Sequence, residues 1–192
     1  MGMNDFGFAI TEGRGQRLGV EEALHSPAPM VWVHLATNDE RAQAFLRDQA
    51  NMPDYVVDAL TAMETRPRCE AVGEGAFLNL RGRSSEELSS SDPLASVRIW
   101  AVKGRVYSVT RKPLFAVAAV EKEVEAGNIQ DPGDLIAAFA AAITADLDPI
   151  VADLGDEIDA CEEKLYDENI FALRRTVTVS YTHLTLPTIL RV

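Results

Sequence analysis

Apolar and polar residues alternate over Met30–Leu35, with Val31, Val33 and Leu35 on one side and Trp32 and His34 on the other. A period of two predicts a strand. Phe6–Ile10 is a shorter strand of the same kind. Cys69–Val72 and Ala76–Arg81 are two further strands, joined at Gly73-Glu74-Gly75. Val97–Val102, within the apolar-rich stretch Ala95–Val102, and Arg105–Thr110 flank Lys103-Gly104. Both pairs are predicted hairpins, because glycine supplies the positive φ such turns require.

Helical spacing separates these strands. Thr37, Asn38 or Asp39 caps a helix through about Asp48, which turns Ala42, Phe45 and Leu46 inward. Pro53 suits the first turn of a second helix bearing Tyr55, Val56, Ala59 and Leu60. Pro113 starts a third, with Leu114, Phe115, Val117 and Val120 as its stripe and its end near Gly127. From Asp131-Pro132 onward, Leu135, Phe139, Ile143, Leu147, Ile150, Leu154, Ile158, Cys161 and Leu165 recur at steps of three and four. That is one long helical stripe. Pro149 lies within it and is expected to kink it, since an interior proline removes a hydrogen bond. Strands separated by helices, with hairpins and crossovers together, predict a mixed sheet covered by helices.

Gly13, Gly15 and Gly19 carry a GxGxxxG spacing. A dinucleotide site needs a strand, then the glycines, then a long helix whose N-terminus holds the pyrophosphate. Pro27 and Pro29 cut off any helix begun at Val20, so the segment reads as a turn.

Charge changes the picture mainly after residue 130. Residues 131–168 hold twelve acids against Lys164 alone, most of the net −12 of the chain. Such a segment repels nucleic acid and anionic lipid and attracts cations, which argues against nucleic-acid binding. Asp153, Asp156, Asp159 and Glu163 fall off the apolar stripe and are candidates for weak, diffuse cation attraction. The simplest alternative for them is a solvated helix face.

A metal centre is not visible. Cys69 and Cys161 are far apart, and His25 and His34 have no ligand neighbours at a usable spacing. Cysteines used this sparingly fit a reduced, cytosolic setting. Ser84–Ser91 is a polar loop without a histidine and carboxylate beside it, so no nucleophile is indicated. Arg66 and Arg68 flank Pro67, which holds the chain extended. They read either as fixed cations for a carboxylate, a phosphate or a neighbouring subunit, or as structural ion-pair partners within the domain. The N-terminus lacks the basic and apolar regions of a signal peptide. The longest uncharged apolar run, Leu135–Ala145, is well short of the roughly 20 residues that span a bilayer.

Trp32-Val33-His34-Leu35, Ala59-Leu60, Glu64-Thr65-Arg66-Pro67-Arg68, Leu78-Asn79-Leu80-Arg81-Gly82, Asp92-Pro93 and Arg98-Ile99-Trp100 form an ordered series. It resembles the cytosolic domain of the CorA superfamily of divalent-cation transporters, most closely its ZntB-like zinc-transporter branch. The resemblance implies an α/β fold, with a mixed β-sheet in an α/β/α sandwich followed by long acidic helices. It implies a homopentamer when full length, zinc or magnesium as the transported ion, no resident cofactor and no enzyme activity. It also implies a protein of the cell's inner (plasma) membrane when full length, with this portion cytoplasmic. The family's pore lies in two C-terminal membrane helices whose loop carries a Gly-Met-Asn or Gly-Val-Asn signature. Gly2-Met3-Asn4 spells that signature at the opposite end and is read as coincidence.

The expected division is therefore an α/β/α domain over 1–130, an acidic helical segment over 131–178 leading toward a stalk, and a tail over 179–192. That tail, beginning Val179-Ser180-Tyr181-Thr182-His183, matches the translation of a transposon adapter used in sequencing libraries and reads as non-native. The expected function is the cytosolic part of a CorA/ZntB-like transporter, truncated before its pore. The alternative is a stand-alone soluble regulatory or ligand-binding α/β domain. An enzyme, for instance one using a nucleotide at Gly13–Gly19, is the weakest reading, since no nucleophile–base set or carboxylate pair is apparent.

Overall fold

The computed structural model describes residues 4–37, 39–63, 66–85 and 94–164, together with Thr178. Among these, seven strands form one sheet. They are β1 (Phe6–Thr11), β2 (Arg14–Leu18), β3 (Met30–Leu35), β4 (Arg68–Val72), β5 (Gly75–Arg83), β6 (Leu94–Val102) and β7 (Arg105–Thr110). Their order is β2-β1-β3-β7-β6-β5-β4. Every neighbouring pair is antiparallel except β3 with β7, which run parallel and join the N-terminal strands to the later meander. The sheet is mixed, as the pattern requires.

Two turns show why local sequence sets this topology. Glu12 and Gly13 have φ of 51° and 76°, and Lys103 and Gly104 have φ of 47° and 76°. Two successive positive φ values fit the twist of the adjoining strands, which ordinary type I turns would splay. The β1–β2 connection is thus a tight hairpin, and Gly13–Gly19 is not one long turn. Arg14–Leu18 is an edge strand, which its sequence conceals because its two faces are not sorted by polarity. Contacts with the helix over Phe115–Ala126 settle it. A Cβ on Gly15 would strike the side chain of Val124, and Arg17 pairs with Glu121 while its guanidinium lies 4.6 Å from the Phe6 ring centroid.

Five α-helices are described: α1 (Val20–Leu24), α2 (Glu40–Ala44), α3 (Asp54–Thr61), α4 (Phe115–Ala126) and α5 (Pro132–Lys164). Asp39 caps α2, with Oδ1 accepting from Arg41 N at 3.1 Å and Ala42 N at 3.0 Å. The helix does not continue as α to Asp48. It widens into a π turn over Phe45–Gln49, with Ala50 N donating to Phe45 O at 3.0 Å. Pro53 is the cap residue of α3 instead of lying in its first turn. Pro113 precedes the cap Leu114 of α4, and its carbonyl accepts from Ser85 N and Ser84 Oγ. α4 ends at Gly127, whose φ of 85° suits glycine.

The two faces of the sheet carry different cores. Val31, Val33, Leu35, Phe77, Trp100, Tyr107 and Val109 pack with Val20 and Ala23 of α1, Ala42 of α2, Phe45 and Leu46 of the π turn, and Val56, Val57 and Leu60 of α3. On the opposite face Trp32 stacks on Phe8 at 5.8 Å and meets Phe139 of α5 edge-on at 5.6 Å. Gly82 leaves room there for Ile143 and Leu114. Helices therefore cover both sides, giving an α/β/α sandwich. Each fully buried Val, Leu, Ile or Phe adds roughly 1.5–3 kcal/mol.

α5 opens on a reciprocal cap. Asp131 Oδ1 accepts from Asp134 N at 2.9 Å, and Asp134 Oδ2 accepts from Gln130 N at 2.9 Å. Pro149 lies inside the helix without ending it. Contacts divide the chain into residues 1–144 and 145–192, and α5 runs through that boundary. Over Pro132–Glu162 this helix is long and apolar enough to cross a membrane by length and composition alone. Its first part is nonetheless a layer of the sheet unit, where Leu135 and Phe139 are fully buried. Leu165, Glu64, Thr65, Gly2, Met3 and residues 86–93 lie outside the described residues.

Candidate functional site

Asp153, Asp156 and Asp159 sit on α5 and are exposed. Glu163 belongs to the same helix, but its side chain lies outside the described residues. At about 100° per residue these positions fall opposite Leu147, Ile150, Leu154 and Ile158. Along that stripe Ile158 is buried, Leu147 and Leu154 are half-buried, and Ile150 is exposed. Among the described residues no group of three or more His, Cys, Asp or Glu could hold a metal ion. An exposed row of carboxylates without convergent ligands attracts hydrated cations through the field, not through a coordination shell.

The histidines and cysteines are dispersed. His25 Nδ1 lies 2.8 Å from Glu21 O, an ordinary bond at the end of α1. Cys69 is exposed on β4 and Cys161 partly exposed on α5. His34 is entirely buried on β3, where Nδ1 meets Ser108 Oγ at 2.8 Å and Phe6 packs at 4.9 Å between ring centroids. Burial, and then the charge of Arg17, push its pKa down to about 3. It is a satisfied core residue. His183 lies outside the described residues.

Arg66 and Arg68 are brought to the β4–β5 edge. Asn79 Nδ2 donates to Arg66 O at 2.7 Å, and Arg68 pairs with Asn79 in the strand register. The Arg68 guanidinium lies 4.8 Å from the Phe77 ring centroid, and its Nη1 is 3.8 Å from Glu70 Oε1. Asn79 pairs on its other side with Arg98 of β6, which is only 1% exposed. Burial, then Arg111 and Arg68, hold the Arg98 guanidinium below its usual pKa. In the sequence Arg98 stands out only within the Arg98-Ile99-Trp100 match, and a charged residue inside the apolar run Val97–Trp100 is the signal that marks it as a buried cation.

Gly13–Gly19 does not lead into the long helix that a pyrophosphate cradle requires. A Cβ on Gly13 would lie 2.9 Å from the carbonyl oxygen of Gly127, so the close approach there is to the end of α4. α1 has five residues and offers no long helix for a pyrophosphate. The depression beside it, about 680 Å³, is open and lined by Thr11, Glu12, Arg14, Gln16 and Ser26 among others. A smaller groove of about 200 Å³ lies between α3 and the β4–β5 edge, with Tyr55, Phe77, Trp100, Arg68 and Glu70 around it.

A mixed seven-stranded sheet between helical layers, continued by a long helix, is the fold of the cytoplasmic domains of CorA-type cation transporters. The ZntB cytoplasmic domain from Vibrio parahaemolyticus superposes with a TM-score of 0.70 at 17% identity, covering 94% of this chain and 68% of that one. The CorA magnesium transporter from Methanocaldococcus jannaschii gives 0.67 at 13% identity. Full-length CmaX gives 0.77 at 26% identity, covering 97% of this chain and 62% of that one. The chain belongs to the CorA-like Mg2+ transporter protein family, which matches residues 27–186. That match includes the first eight residues of the segment 179–192. In sequence, the chain is 29% identical to the divalent cation transporter CmaX of Pseudomonas aeruginosa over 82% of this chain and 49% of that protein. It is 26% identical to the zinc transport protein ZntB of Pectobacterium atrosepticum over 80% of this chain and 47% of that one. The chain thus spans about half the length of the curated relatives it matches.

Proposed function

We propose that this chain is the cytoplasmic domain of a CorA/ZntB-like transporter of divalent metal cations, zinc or magnesium, whose pore helices follow it in the complete protein. The family match over residues 27–186, on a chain folded as sheet, covering helices and long α5, carries this reading. In it, residues 131–178 lead from the sheet domain toward a stalk, and residues 179–192 are adapter-derived. The complete protein sits in the plasma membrane as a homopentamer with this portion in the cytoplasm. Divalent cations are its cargo, and the sheet domain performs no catalysis and holds no cofactor. The exposed acids Asp153, Asp156 and Asp159, with Glu163, concentrate cations near the entrance without binding them tightly.

The test starts with the genomic sequence after residue 178. Two apolar runs of about 20 residues each are expected. The full-length protein should then carry zinc or magnesium into vesicles loaded with an ion-sensitive dye. A natural reading frame that closes without such runs, or vesicles that admit neither ion, would overturn the proposal.

A further inference from the structure

We draw no further inference here: the strongest candidate, the groove of about 200 Å³ between α3 and the β4–β5 edge, with Tyr55, Phe77 and Trp100 beside Arg68 and Glu70, carries nothing because nothing in the structure shows what covers it.

Discussion

Ser108 of β7 stands opposite His34 of β3 in the parallel register, and its Oγ lies 2.8 Å from both His34 Nδ1 and Trp32 Nε1. An indole N–H only donates, so Ser108 Oγ accepts from Trp32 Nε1 and hydrogen-bonds His34 Nδ1 as well. One hydroxyl satisfies two buried rings across the only parallel seam among the described strands.

Replacing Ser108 by alanine strips both rings of their partner inside the core. Leaving buried polar groups unsatisfied costs about 1–3 kcal/mol. Urea denaturation of S108A should show a lower midpoint with an unchanged slope. An S108A protein as stable as its parent would mean the rings are satisfied in another way.

The depressed pKa of His34 gives a pH dependence with a definite sign. The unfolded histidine gains a proton below its ordinary value of 6.5, whereas the folded one resists protonation down to about 3. The unfolded state therefore binds more protons in this window, and acidification from pH 6.5 toward 3 destabilises the fold. The slope is at most about 1.4 kcal/mol per pH unit from this group. Thermal melts of the parent and H34Q at pH 6.5, 6 and 5 read this contribution by difference. The parent should lose stability over that range and H34Q should lose distinctly less. Parallel pH profiles would refute the assignment.

Phe139 separates two views of α5. Its ring meets Trp32 edge-on and is fully buried, so Phe139→Ala should cost about 3–5 kcal/mol. Val151, which is half-exposed, should tolerate alanine within about 0.5 kcal/mol. Calorimetric melts of both variants check the contrast. Equal, small effects would mean that the first part of α5 does not belong to the core of the sheet unit.

Cation binding to this chain should be weak, diffuse and salt-sensitive. Tight zinc binding needs three or four ligands converging at about 2.0–2.3 Å, and no such group occurs among the described residues. Neutralising Asp153, Asp156, Asp159 and Glu163 together should remove most binding, while any one change does little. Titration calorimetry with magnesium and zinc at two salt concentrations tests this. A single stoichiometric site of about micromolar affinity or better, indifferent to salt, would sink it.

Deleting residues 179–192 should leave the melting temperature unchanged if they are adapter-derived. A fall of several degrees would assign the segment to the native fold, in line with a family match that runs to residue 186.

Much of the sheet was legible from short-range chemistry. β3 and β7 begin and end where the alternation places them, and both later hairpins turn at the expected glycines. Period-two patterns survive because each strand buries side chains that alternate between faces, and positive φ is a local demand that glycine meets. The stripe from Leu135 to Cys161 likewise spelled out α5, because a 3.6-residue repeat needs no partner to be visible.

Tertiary structure decided the rest. β2 lacks apolar sorting and is a strand because β1 supplies its hydrogen bonds, while Arg17–Glu121 and the Gly15–Val124 contact hold it against α4. The π turn at Phe45–Gln49 sits between Asp39's cap and Pro53, where Phe45 and Leu46 are both buried under the sheet. The β3–β7 pairing joins segments about 75 residues apart, and no local pattern encodes such a register. His34 is neutral and Arg98 is desolvated for the same reason. Sequence names the ionisable group, but its charge depends on which distant residues exclude water from it.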